Sequence, residues 1–143
     1  MKFDHNALEL NGDMKLVYTA MSKHLFYYRM YISQFVIEKG KVPLNPFMIF
    51  DYFLLDTVDR DLVRKSNNSL VLRSDEIWVS DAISNGVLSE ILIAQKANKC
   101  IRYFQIKKPH NIVPVDIMSI EMEDEVSNCK HLIYSDITKE VTS

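Results

Sequence analysis

Apolar and polar positions change period most clearly between residues 73 and 106. Residues 76–80 (Glu-Ile-Trp-Val-Ser) form a short run bounded by charge and rich in strand formers. Residues 81–85 read as a turn, with Ser84 and Asn85 as helix-capping residue types. From Gly86 to Ala97 the apolar residues Val87, Leu88, Ile91, Leu92 and Ala94 recur at helical spacing, and Asn98 and Lys99 close that helix. Residues 100–106 are a second apolar run of strand length. Strand, crossover helix and strand within about 30 residues predict a βαβ unit. Such a unit feeds a parallel sheet, whose ligands bind at the carboxyl ends of the strands.

The same layout is predicted earlier in the chain. Residues 1–13 are mixed and end in Asn11-Gly12-Asp13, which suits a leader or edge segment. Residues 15–20 (Lys-Leu-Val-Tyr-Thr-Ala) predict a first strand and residues 19–23 a loop. Residues 24–39 predict a helix carrying Leu25, Tyr28, Ile32, Phe35 and Val36 on one face, with Gly40 as its stop. Residues 41–45 predict an edge strand or strand start, because Pro43 cannot donate to a ladder. A helix is expected from Pro46 through Thr57, since proline suits the first helical position, and another over residues 59–73. Beyond a turn at 107–111, residues 112–118 predict a last edge strand. The order β-α-β-α-α-β-α-β-β specifies an α/β sandwich with a mainly parallel sheet of four or five strands. One domain is expected over residues 1–143, with its core at about 15–118. Residues 119–143 form an acidic C-terminal tail in which Leu132, Ile133 and Tyr134 offer one apolar anchor.

Composition narrows the functional classes. A net charge of −2 without a basic run gives no reason to bind a nucleic acid polymer. No signal peptide is visible and no apolar run approaches the length of a membrane span, so a soluble cytoplasmic protein is expected. Cys100 and Cys129 have no metal spacing, and Cys100 is expected to be an inert thiol in a buried strand. With glycine only at 12, 40 and 86, neither a dinucleotide fingerprint nor a P-loop exists, and no cofactor is expected. The absence of His-Glu-x-x-His and of paired cysteines leaves a metal site unsupported.

Glu90 stands out as a carboxylate on the first turns of the helix leaving the sheet's carboxyl edge. It suits a nucleophile at a sugar carbon, a general base for water or an acceptor for ribose hydroxyls. Spacing alone favours a solvated glutamate satisfying the helix dipole. Gly86, one turn earlier, leaves room for a ligand or for close packing. Asp81 ends the preceding strand and faces the same crevice, and His24 follows the first strand. The aromatic stretch at 47–53 is either a packed or subunit-facing segment or a stacking wall, with Tyr52 as a hydrogen-bonding member. Arg60, Arg64 and Asn67 share a side of the helix at 59–73; the arginines suit a phosphate or simply a solvated face.

Taken together, Tyr18-Thr-Ala, Asn45-Pro46, Ser74-Asp75 before a strand and Gly86-Val-Leu-Ser-Glu90-Ile-Leu-Ile-Ala94 form a recognisable set. The chain over about 15–106 resembles the nucleoside 2-deoxyribosyltransferase-like superfamily, small flavodoxin-like α/β proteins, and more closely an uncharacterised subgroup of it. The resemblance implies a flavodoxin-like three-layer sandwich and an activity that cleaves or transfers an N-glycosidic bond. It aligns Glu90 with the nucleophile that attacks C1′, Tyr18 with the tyrosine that orients it, and Asp81 with a sugar-binding aspartate. Asn45, Tyr52, Arg60, Arg64, Asn67, Asn68 and Gly86 become candidate substrate contacts. The superfamily's acid for the leaving base falls at Asn67 or Asn68, where an amide cannot donate a catalytic proton as a carboxylic acid does. The first loop has Thr19-Ala20-Met21 in place of the usual glycine. These departures leave a non-catalytic module for a nucleotide-derived ligand as the alternative. The resemblance also implies a nucleoside or nucleotide as partner and a homodimer or higher homo-oligomer.

Overall fold

In the computed structural model, which describes residues 2–51 and 54–134, five strands form one sheet. β1 (Leu16–Ala20) lies between β2 (Val42–Leu44) and β3 (Glu76–Ser80), then come β4 (Cys100–Lys108) and β5 (Asn111–Pro114), giving the order 2-1-3-4-5. The first four strands are parallel and only β5 runs antiparallel, on the edge where Pro114 costs no ladder bond. This is a flavodoxin-like α/β fold with a mainly parallel sheet. Its strand order reverses between β1 and β3, which opens a crevice at the carboxyl edge.

The helices are α1 (Arg29–Glu38), α2 (Pro46–Ile49), α3 (Arg60–Arg73) and α4 (Asn85–Lys96). Side-chain alternation along the strands divides the core between two faces. Val17, Trp78 and Phe104 meet Phe35 and Val36 of α1 on one face. Tyr18, Ala20, Ile77, Val79 and Tyr103 meet Val71 of α3 and Val87, Leu88, Ile91 and Ala94 of α4 on the other. The buried residues of α4 recur at three- and four-residue spacing, and Ser84 caps it by accepting from the Val87 amide at 3.3 Å. The N-terminal segment is exposed and contains one short 3-10 turn at Asn6–Glu9.

Several sequence expectations need correction. The helix expected at 24–39 begins with a tighter 3-10 turn over Lys23–Tyr28, capped by Ser22, and becomes α-helical at Arg29. The helix expected from Pro46 through Thr57 stops at Ile49, because Phe50 is extended (φ −102°, ψ 112°). Among the described residues of this stretch, Met48, Ile49, Leu54, Leu55 and Val58 stay substantially exposed and do not hold a longer helix against the core. The last strand ends at Pro114 rather than Met118. Cys100 is exposed, since it sits at the open amino end of β4.

The stretch expected to be a tail is part of the core as far as it is described. Ile120, Val126 and Ile133 are buried with α4 and β3, and Gln95 holds the carbonyls of Leu132 and Ile133 at 3.3 and 3.4 Å. A parallel bridge between Ile83 and Met122 straps this segment along the loop that follows β3.

Candidate active site

Glu90 projects from α4, Tyr18 from β1 and Asn67 from α3, and the three side chains meet. The Tyr18 hydroxyl donates to Asn67 Oδ1 at 2.9 Å, and Asn67 Nδ2 donates to Glu90 Oε2 at 3.4 Å. Tyr18 also lies against the Glu90 carboxyl, which closes the triangle. Sequence separations of 49 and 23 residues are bridged because α3 and α4 pack side by side over β1 and β3.

Glu90 is half-buried, and protein packs densely around its carboxyl. Burial raises the carboxyl's pKa to about 7 from an ordinary value of 4.5, and the polar contacts with Tyr18 and Asn67 only partly offset this. Burial also raises the Tyr18 phenol, with the Glu90 charge adding to it, so Tyr18 stays protonated and donates. A carboxylate that is half ionised near neutrality can act as a nucleophile or as a base. A solvated helix glutamate would not be held this way.

Asp81 follows β3 at the crevice and is 7% exposed; burial raises its pKa, opposed by the Glu121 amide that its Oδ2 accepts at 3.4 Å. The peptide bond joining Asp81 to Ala82 is cis. Gly86 lies in the first turn of α4, and a Cβ there would meet only Ser84 Oγ, at 4.0 Å. The helix therefore has open space above it one turn before Glu90. Asn68 is half-buried beside Asn67 but turned about 100° round α3.

Other candidates stand apart from the triangle. Asn45 is 2% exposed, and its amide is engaged inside the protein. Oδ1 accepts from the Phe47 amide at 3.0 Å, while Nδ2 faces the Arg29 carbonyl at 3.2 Å and Ser33 Oγ at 3.4 Å. Its chemistry is that of a clip between α1 and α2 rather than a ligand contact. Arg64 pairs with Asp61 at 2.9 Å on an exposed face, and Arg60 is exposed at the start of α3. Tyr52 lies outside the described residues.

His24 is largely exposed and meets Ser22 Oγ at 3.2 Å and Glu123 Oε2 at 3.1 Å. This contact, together with Glu125 accepting from the Asn85 amide at 3.3 Å, ties the C-terminal strap to the loops after β1 and β3. Neither the strap nor the bridging role of Asn67 has a signal in local sequence pattern.

Two surface concavities of about 420 and 600 Å³ lie elsewhere, between α1 and the β4–β5 edge, and are lined among others by Phe35, Lys39 and Ile112. Neither includes Tyr18, Asn67 or Glu90. Among the described residues, no group of three or more His, Cys, Asp or Glu could hold a metal ion. No helix among them is long and apolar enough to cross a membrane.

A search among solved structures finds the 2-desoxiribosyltransferase from Leishmania mexicana, with a TM-score of 0.50 and 15% identity over 80% of this chain and 95% of that one. At that identity the likeness is one of fold. Comparison with curated proteins finds no match. A family model matches residues 17–104, a span that contains Tyr18, Asn67, Asp81 and Glu90. That match covers more than half of the chain, which therefore belongs to the family described as Domain of unknown function (DUF7768).

Proposed function

We propose that this protein cleaves or transfers the N-glycosidic bond of a nucleoside or nucleotide, with Glu90 acting at C1′ of the sugar. The observation that carries this reading is the embedded Glu90 carboxyl, held by Tyr18 and Asn67 beside the carboxyl-edge crevice with its pKa at about 7. In the reaction, an ionised Glu90 oxygen attacks C1′ and the bond from C1′ to the base nitrogen breaks. The base leaves with the bonding pair and takes a proton. Water or a second base then attacks C1′ and frees the carboxylate. Tyr18 positions Glu90, and Asp81 holds the sugar from the end of β3. The likeness of fold to a 2-desoxiribosyltransferase supports the substrate class.

A second reading, a binding module without turnover, rests on Asn67. Its amide stands where the superfamily's acid for the leaving base is expected, and an amide does not protonate a leaving group. A homo-oligomer belongs to the proposal as well. Ile49, Leu54, Leu55, Val58 and Leu62 are between 37% and 57% exposed around the start of α3, which suits a contact with a second copy. A cytoplasmic setting completes the proposal.

The test is to incubate the protein with a panel of nucleosides and 5′-nucleotides and to look for free base by chromatography. Release that disappears in Glu90→Ala supports the enzyme. A thermal shift with one panel member and no release supports the binding module. Silence on both counts contradicts both readings.

A further inference from the structure

We propose that Asn67 is a positioning residue that holds Glu90 as an oriented anion, through an amide whose two ends are fixed by different partners. An ionised carboxylate only accepts hydrogen bonds, so the atom facing Glu90 Oε2 is the Nδ2 amine, at 3.4 Å. Oδ1 then faces the Tyr18 hydroxyl, which donates to it at 2.9 Å. The chain of bonds therefore runs in one direction, from the phenol through the amide to the carboxylate. A proton placed on Oε2 would confront the Nδ2 hydrogens, so this arrangement opposes protonation of that oxygen.

An aspartate at position 67 would do the reverse, sharing a proton with Glu90 and converting the pair toward an acid. The amide thus has a use of its own at the place where the resemblance leads one to expect a carboxylic acid. It restrains the rise that burial imposes on Glu90 and keeps the carboxylate available as a nucleophile near neutral pH.

Few other groups act on this carboxyl. β1 supplies Tyr18 and α3 supplies the uncharged Asn67. On α4 itself, the residues three and four positions away are Val87, Ile93, Gly86 and Ala94, none of which titrates. The C-terminal strap brings Glu125 onto the Asn85 amide at the start of the same helix.

The inference rests on Glu90 being the working group of the proposed function, but its test reads the carboxyl directly. Protein labelled with ¹³C at the glutamate carboxyls is titrated by NMR, and the Glu90 resonance is assigned by its absence in Glu90→Gln. In Asn67→Leu the Glu90 midpoint is expected to move upward by about one pH unit. Asn67→Ser, which also removes the bridging amide, serves should the leucine variant not fold. Where base release is measurable, the acid limb of its pH profile moves with the midpoint. An unchanged midpoint in a folded variant overturns the role of Asn67. A shifted midpoint in a protein that releases no base leaves that role standing and counts against the nucleoside reading alone.

Discussion

Replacing Glu90 with glutamine should stabilise the protein, and by an amount that depends on pH. In the unfolded chain this carboxyl ionises near 4.5, whereas in the folded protein it ionises only at about 7. Between those values the folded state binds more protons than the unfolded one, so stability falls as pH rises through the window. The displacement corresponds to about 3 kcal/mol, fully present above the folded pKa and absent below the unfolded one. Glutamine keeps the shape and carries no charge, so its own offset is the same at every pH. The difference in unfolding free energy between Glu90→Gln and the parent should therefore grow by about 3 kcal/mol from pH 4 to pH 8. Most of that growth should lie between pH 5 and 7. Urea unfolding at each pH, with coincident fluorescence and circular dichroism transitions to establish two-state behaviour, measures it. A difference that stays flat across the range would refute the claim that burial withholds the charge from this carboxyl.

The other predictions concern the scaffold. Asn45→Ala removes the cap of α2 and the bonds to the Arg29 carbonyl and Ser33, and should cost about 1–3 kcal/mol in the same assay. Ile133→Ala should cost about 2–5 kcal/mol if the C-terminal segment belongs to the core, and a loss below about 0.5 kcal/mol would make it a loose tail. Glu76 is buried, yet bonds from Trp78, Lys41 and Arg102 outweigh that burial and hold its pKa below the usual range. The stability this confers is present above the unfolded pKa and lost as pH falls through the lower, folded one. Glu76→Gln should therefore flatten the acid end of the parent's pH–stability curve. Leu62→Asp should weaken self-association in sedimentation velocity, and a parent that is monomeric throughout the micromolar range would exclude the oligomer.

How legible these features were depended on whether their causes are local. Residues 76–80 form the strand expected of them, and α4 is displaced by one residue from its expected span, because a dense apolar period and the Ser84 cap act within a few positions. The C-terminal core was only partly legible: the anchor at Leu132-Ile133-Tyr134 showed, but Ile120 and Val126 stand six residues apart among acids, and this segment is strapped to Ile83. The aromatic stretch misled, because Asn45 and Pro46 start a helix whose described continuation, with Ile49, Leu54 and Leu55 exposed, does not hold it against the core.

At the candidate site, Glu90 could be picked out as a carboxylate on the helix leaving the sheet's carboxyl edge. Its embedding, and the amide between it and Tyr18, depend on long-range packing of α3 and α4 that periodicity does not encode. Asn45 stood in the same motif set but is occupied internally, which only the packed structure reveals.

In the proposed reaction Glu90 attacks the sugar at C1′. The most direct test is to trap that step with a 2-deoxy-2-fluoro nucleoside, which slows breakdown of a glycosyl-enzyme, and to map the adduct by peptide mass spectrometry. One added sugar is expected on the peptide containing Glu90, and none in Glu90→Gln. Release of base with no adduct there, or with an adduct on another residue, would contradict attack by Glu90.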